Sequence, residues 1–303
     1  MAKILIALGG NALGDNHIEQ QELVANAAQS IVKLIEKGHQ IIICHGNGPQ
    51  VGLIHQALVK EKMPLPECTA MSQGYIGYHL QKALRNELKK QNIQQKVISL
   101  VTQVIVDDKD PAFQKPTKPI GVFYDEFEAK NIQETFGYTM LEDAGRGYRR
   151  YVASPKPVDI VEKETLKDLI KTKNLIITSG GGGIPVVYKD EQLVSAEAVI
   201  DKDATAALVA DLVDADILLV LTAIDYVMIN FKKDNQKALK HINIAQVDNY
   251  IKENQFHKGS MLPKVEAARR FVQAVNSRAC YITALENALA AIDGKVGTKI
   301  TKA

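Results

Sequence analysis

The chain has 303 residues, 46% of them hydrophobic and 24% charged, with a formal net charge of +2. This is enough apolar material for one large domain or two lobes around a substantial core, and the dispersed, nearly balanced charge excludes a nucleic-acid stripe or a basic membrane face. No apolar run approaches the ~20 residues of a membrane span, the first residues lack a signal-peptide pattern, and three cysteines without C-x-x-C spacing argue against disulfides and zinc and for a reducing cytoplasm.

In chain order, Lys3–Leu8 predicts a strand that runs into Gly9-Gly10-Asn11. Leu23–Lys37 predicts a helix from its apolar spacing, with Gly38 as its stop. A strand over Gln40–His45 leads into Gly46-Asn47-Gly48-Pro49 and a helix over Val51–Lys60. A helix over Tyr75–Lys90 and a strand over Val97–Val106 follow. Asp107–Pro157 breaks the rhythm: rich in Pro, Gly, aromatic and charged residues, it is too long for an ordinary connection and reads as an inserted subdomain or lid. The strand Leu175–Thr178 enters Gly180-Gly181-Gly182-Gly183, and residues 184–200 read as a hairpin. A helix over Ala204–Val213, a strand over Ile217–Leu221, a helix over Pro263–Asn276 and a strand over Cys280–Thr283 complete the pattern. Alternation of this kind predicts a mostly parallel sheet covered on both faces, with ligands beyond the carboxyl ends of its strands.

Three strand ends therefore carry glycine-rich turns. The first fits neither standard phosphate motif: Asn11 stands where the dinucleotide fingerprint needs its second Gly, and Asp15-Asn16 follow Gly14 where a phosphate loop needs Lys and Ser or Thr. The turns read either as simple left-handed connections or as nests of backbone N–H groups for an anion, with Asn11 and Asn47 adding neutral donors. In the latter case the cation must come from elsewhere. In "IDKDA", Lys202 lies between Asp201 and Asp203 ahead of a helix. Asp203 reads either as that helix's N-cap or as the group that holds Lys202 toward the sheet edge. Lys264, in the first turn of a helix, opposes the helix dipole, so an anion bound there would explain it better than helix stability. Lys118 lies between two prolines and reads either as a surface lysine or as a cation delivered by a stiff lid. Arg146, Arg149 and Arg150 read as a surface cluster or hinge contact. Lysines around a transferring phosphoryl group make physical sense, because that chemistry is chiefly positioning and charge neutralisation.

Taken together, "ALGGNAL" (7–13), "HGNGPQVG" (45–52), "AMSQGYIGY" (70–78), "DPAFQKPTKPIG" (110–121), "RRYVASPKP" (149–157), "GGGGIPV" (180–186), "AVIDKDATAALVA" (198–210), "INF" (229–231) and "GSMLPKVEAARRFV" (259–272) resemble the carbamate kinases of the amino-acid kinase family. The resemblance covers nearly the full length. It implies an α/β fold: a three-layer αβα sandwich with an open, mainly parallel eight-stranded sheet and a small protruding subdomain. One domain would span 1–303, with a carbamate/carbamoyl-phosphate lobe (1–212), the inserted subdomain (107–157) and a nucleotide lobe (213–303). It implies reversible phosphoryl transfer between ATP and carbamate with Mg²⁺, in a cytoplasmic homodimer with neither nucleic-acid nor membrane partners. Turnover toward ATP would serve arginine or purine catabolism. Gly9, Gly10 and Asn11 would line the transferring group, and Gly46, Asn47 and Gly48 the carbamate end. Lys118, Lys202, Asp203 and Lys264 would be the catalytic set. Gly180, Gly181, Thr222, Tyr226, Met228, Met261 and Lys264 would meet the nucleotide, and no residue is assigned to hold a metal. Leu262, Tyr148 and Ala223 depart from the family's usual Gly, Trp and Asp or Gly, and Ala7 stands where many relatives have Lys. Two alternatives accompany this reading: a kinase for another small carboxylate, and a nucleotide-binding homologue without turnover.

Overall fold

The Ile-, Val- and Leu-rich runs form the centre of the molecule in the computed structural model, which describes residues 1–10, 13–14, 17–143 and 145–303. The first half comprises β1 (Lys3–Leu8), α1 (His17–Glu36), β2 (Gln40–His45), α2 (Gly48–Ala57), α3 (Leu65–Lys90), β3 (Val97–Ser99) and β4 (Gln103–Val106). The segment singled out in the sequence folds as β5 (Lys118–Tyr124), α4 (Glu126–Phe136), β6 (Thr139–Glu142) and β7 (Tyr148–Val152). There follow β8 (Pro157–Ile160), α5 (Lys163–Lys171), β9 (Leu175–Thr178), β10 (Ile184–Lys189), β11 (Gln192–Ser195) and α6 (Lys202–Leu212). The last part is β12 (Ile217–Thr222), β13 (Val227–Ile229), β14 (Lys237–Leu239), β15 (His241–Asn243), α7 (Ile244–Lys252), α8 (Met261–Ala274), β16 (Ala279–Ala284), α9 (Ala288–Ile292) and β17 (Thr298–Thr301).

Eight strands form one sheet in the order β15-β17-β16-β12-β1-β2-β9-β3. All neighbours are parallel except β16 and β17. Burial on both faces explains the continuous apolar runs. Ile4, Ile6 and Leu8 of β1 pack with α1 and α3 through Val24, Ile31, Ile76 and Leu80. Leu5 and Ala7 point the other way, into the cluster with Ala206 and Val209 of α6 and Val265 and Phe271 of α8. The result is three layers, α/β/α. From β1 the strand order proceeds outward to β2 on one side and to β12 on the other, so the crevice beyond β1 is the switch point where such sheets bind ligands.

Several expected boundaries move. The run Val97–Val106 is two strands: β3 ends the large sheet, while β4 joins a second sheet ordered β11-β10-β4-β8. Helix α3 starts ten residues before Tyr75, because Pro64 and Pro66 suit a helix start and the buried polar residues Thr69, Ser72 and Gln73 interrupt the apolar period. Helix α1 begins at His17 rather than Leu23. Helix α2 begins at Gly48 and gives way to a 3₁₀ turn at Val59–Glu61. The hairpin is β10–β11, turning at Asp190 and Glu191 with φ of 48° and 65°, and its second strand ends at Ser195. Helix α8 is displaced two residues toward the N-terminus relative to expectation.

Within 107–157, β5, β7 and β6 make a separate antiparallel sheet in that order. Helix α4 packs beside it, closed by an Asp125–Glu128 capping box and by Gly137 in the left-handed region.

Candidate active site

The first two glycine turns meet at the carboxyl edge. The Gly9 N–H donates to Leu221 O at 3.0 Å, and the Gly46 N–H donates to Leu8 O at 3.0 Å. A Cβ at Gly9 would lie 2.9 Å from Leu221 O, and one at Gly46 would lie 3.2 Å from Gly10 N. Glycine is needed here because the three strand ends crowd together. Asn11 lies outside the described residues. Asn47 is the N-cap of α2, yet its side chain makes no cap; its Nδ2 donates to Ser72 Oγ at 2.8 Å, and Ser72 Oγ donates to Thr69 O at 2.7 Å. Gly48 opens α2 beside it.

The four-glycine turn packs beneath this loop. A Cβ at Gly181 would fall 2.1 Å from Asn47 Nδ2, and one at Gly180 would fall 2.4 Å from His45 Nε2. Both glycines are buried. They follow β9, three strands from β12, a separation of roughly 14 Å at the usual strand spacing. Gly180 and Gly181 form the floor under Asn47, and the same turn meets α6, where Thr205 Oγ1 donates to Gly182 O at 2.8 Å. Gln73 clamps that floor, donating from Nε2 to Thr102 O (3.1 Å) and Gly180 O (3.0 Å) and accepting from Thr102 N (2.8 Å). Ser72 and Gln73 were not singled out in the sequence. Their signal was two polar side chains on the buried face of a long helix.

The lysines converge from three distant segments. Lys202 Nζ lies 2.9 Å from Asp203 Oδ1, and Lys264 Nζ lies 2.9 Å from Asp203 Oδ2. Asp203 is 4% exposed; the two lysine side chains are 11% and 15% exposed. The N-cap of α6 is Asp201, not Asp203: its Oδ1 accepts from the N–H groups of Asp203 and Ala204. Its other oxygen holds Lys118 Nζ at 2.7 Å. Asp203 is thereby free to serve both lysines. Burial works against its charge, but Lys202 and then Lys264 outweigh burial and hold the carboxyl well below the usual range. Burial also lowers the Lys202 ammonium, against the pull of Asp203. The Lys202–Asp203 contact is not aligned as a hydrogen bond, and Lys202 Nζ has no hydrogen-bond partner among the described residues. Five alternating charges leave this edge with one net positive charge and a buried ammonium with free donors, which suits a phosphoryl group.

Lys202 also acts on the end of β2, where its charge weighs against protonation of His45 and favours the thiolate of Cys44. Burial nevertheless pushes the Cys44 thiol up to about 12, so it stays protonated. Burial lowers His45 to about 4. Its Nδ1 lies 2.8 Å from Gly46 O, a bond in which the neutral ring donates. Because the folded imidazole resists protonation, stability is lost as pH falls from 6.5 toward 4, by about 1.4 kcal/mol per unit. His45→Asn should lose less stability than the parent between pH 6.5 and 5 in urea titrations; equal slopes would mean that His45 is charged in the fold.

Thr222 ends β12, Tyr226 and Met228 lie at β13, and Met261 and Lys264 open α8. Leu262 adopts helical backbone, with no positive φ, and packs on the core, so this turn does not need a glycine. Arg149 donates to Gly121 O, and Arg150 lies 2.6 Å from His55 Nε2 and 3.3 Å from Glu197. A cleft of about 2030 Å³ opens between the 107–157 segment and α8, lined by Gly48, Lys118, Gly121, Arg149, Asp201 and Arg270 among others. No group of three or more His, Cys, Asp or Glu among the described residues could hold a metal ion, and Asp201 and Asp203 are committed to lysines. Among the described residues no carboxylate cluster is thus left over for a protein-held Mg²⁺.

Comparison with known proteins agrees with this geometry. A model of the amino acid kinase family matches residues 2–284. The chain is 52% identical over 310 residues to a carbamate kinase of Staphylococcus epidermidis, covering 100% of both chains. It is also 52% identical to the carbamate kinase-like protein YqeA of Escherichia coli, covering 98% of both. Among solved structures, the carbamate kinase from Giardia lamblia bound to AMP-PNP superposes with a TM-score of 0.91 at 40% identity, covering 99% of this chain and 98% of the other.

Proposed function

The chain belongs to the amino acid kinase family and, within it, to the carbamate kinases, and from that premise we propose that it transfers a phosphoryl group reversibly between ATP and carbamate. The observation that carries the reading is the Lys202–Asp203–Lys264 cluster at the edge where the Gly9–Gly10 and Gly46–Asn47–Gly48 turns meet. In one direction a carbamate oxygen attacks the γ-phosphorus and ADP leaves; in the other a β-phosphate oxygen of ADP attacks carbamoyl phosphate and carbamate leaves. Carbamate already carries its negative oxygen, so no general base is required, in keeping with a neutral His45.

In this reading Gly9, Gly10 and Asn11 receive the transferring group, and Gly46, Asn47 and Gly48 the carbamate end. Lys202 neutralises charge in transit. Lys264 binds nucleotide phosphates, Asp203 sets both lysines, and Lys118 enters from the 107–157 subdomain. Thr222, Tyr226, Met228 and Met261 border the nucleotide in a lobe over 213–303, against a carbamate lobe over 1–212. The AMP-PNP held by the Giardia relative supports the nucleotide assignment. Mg²⁺ enters as part of the nucleotide substrate and supplies charge neutralisation there. The intact lysines speak against a homologue without turnover, and the enclosed Asn47 loop speaks against a larger carboxylate.

We place the protein in the cytoplasm, running toward ATP in arginine or purine catabolism. No helix among the described residues is long and apolar enough to cross a membrane. A homodimer is supported by exposed Met71, Tyr75 and Tyr78 on α3 and exposed Tyr188, Leu193 and Val194 on the β10–β11 hairpin, apolar surface that a second copy would cover. The test is ATP formation from ADP and carbamoyl phosphate with Mg²⁺, detected by luminescence. Folded protein that gives no ATP above the enzyme-free control would overturn the reading.

A further inference from the structure

Lys118 is held against Asp201 by β5, which pairs with β7 and buries Ile120 with Leu65, Val152 and Val199. A contact between two backbones sets how closely that strand approaches α2. Gly52, in the middle of α2, lies so close to β5 that a Cβ built on it would fall 2.1 Å from Gly121 Cα and 2.5 Å from Gly121 N. Real side chains do not approach backbone so closely, so this seat accepts glycine alone. Glycine in a helix interior weakens the helix, so helix stability does not explain the residue. Gly121 in turn has φ +74°, the left-handed region, at the point where the β5–β7 register breaks between Ile120 and Tyr124. Irregularities of this kind re-aim a strand beside a site. The carbonyl exposed by that break is grasped by one guanidinium: Arg149 donates to Gly121 O from Nε at 3.1 Å and Nη2 at 2.8 Å, while Asp143 holds Nη1 at 3.3 Å. Lys118 lies three residues upstream, with Pro119 stiffening the link.

We propose that Gly52, Gly121 and Arg149 are positioning residues: they seat β5 on α2 and so fix the place of the Lys118 ammonium in the reaction proposed above, on which this inference rests. Helix α2 begins at Gly48, so the element that carries the Asn47 turn also sets the height of the lysine opposite. The substrate end and its cation are gauged from one helix.

The test uses Gly52→Ala and Arg149→Lys, each made with Lys118 intact and in a Lys118→Ala background, with kcat for ATP formation measured in all of them. A displacement on the order of 1 Å can cost up to about 100-fold. Each variant should lose about 10-fold or more with Lys118 intact and less than about 2-fold where Lys118 is already gone. Equal fold losses in both backgrounds, or no loss in either, would overturn the proposal. If Gly52→Ala does not fold, the Arg149→Lys cycle decides alone. Amide hydrogen exchange separates this inference from the assignment of the reaction. Protection across 120–124 should fall in either folded variant while β1 and β2 stay protected, whether or not the parent makes ATP; unchanged protection there would overturn the proposal.

Discussion

Lys202→Ala should lower kcat for ATP formation by on the order of 100-fold or more while leaving a cooperatively folded protein. The side chain is nearly buried, beside the turns that form the substrate edge, and its ammonium makes no hydrogen bond among the described residues. Its ion pair with Asp203 at 2.9 Å leaves donors of the ammonium available when charge develops on a transferring phosphoryl group. In such a water-poor site one lost donor costs about 10²–10³ in rate. The fold should survive because Asp203 keeps Lys264 at 2.9 Å. Lys202→Arg should not restore the rate, since a planar fork cannot occupy the place of a compact ammonium. Steady-state kinetics with thermal melting of the same preparation checks this; near-parental kcat in Lys202→Ala would remove Lys202 from the catalytic set.

The parallel core was legible because buried parallel strands advertise themselves. Lys3–Leu8, Gln40–His45 and Leu175–Thr178 are bounded in the structure as the sequence predicts. What escaped was written in polar residues. Thr102, buried with its Oγ1 bonded to Leu100 O, turns the chain between β3 and β4, yet reads in sequence as one position in a long apolar run. Ser72 and Gln73 lie within "AMSQGYIGY" but interrupt the apolar helical period, and their hold on Asn47 and the four-glycine floor shows only in the fold. The charged site was half visible. Lys202, Asp203 and Lys264 could be named from local oddities, a triplet of charges and a lysine on the wrong end of a helix. Their meeting on one carboxylate depends on how α6 packs on α8, which no local pattern contains. The same holds for Gly52 and Gly121, whose contact joins residues 69 positions apart. The two readings of Asp203 stay open in the sequence for a related reason: Asp201 and Asp203 are equally plausible caps by type, and only the fold shows Asp201 capping α6 and Asp203 between two lysines.

Asp203→Asn should be the most damaging substitution in the site, because the lost charge is the counter-ion of two nearly buried ammonium groups. Breaking a buried pair by deleting one partner costs about 3–5 kcal/mol, and the amide restores the shape without the charge. The pH dependence distinguishes this from simple repacking. The folded carboxyl is held below its ordinary value of 3.8, so the stability that it contributes is fully present well above 3.8 and is lost as pH falls through the window beneath it. The gap between the parent and Asp203→Asn, read by urea unfolding, should be constant from pH 7 to pH 5. It should then narrow by about 1.4 kcal/mol for each unit below 3.8. Kinetics should move in the opposite range. Asp203 supports the charge on Lys202 against the burial that lowers it, so without Asp203 the ammonium deprotonates at lower pH. The alkaline limb of the pH–rate profile should therefore shift toward neutrality, beyond any uniform loss of rate. Parallel stability curves and an unmoved alkaline limb would mean that Asp203 is a packed polar group, and that the two lysines are organised by something other than its charge.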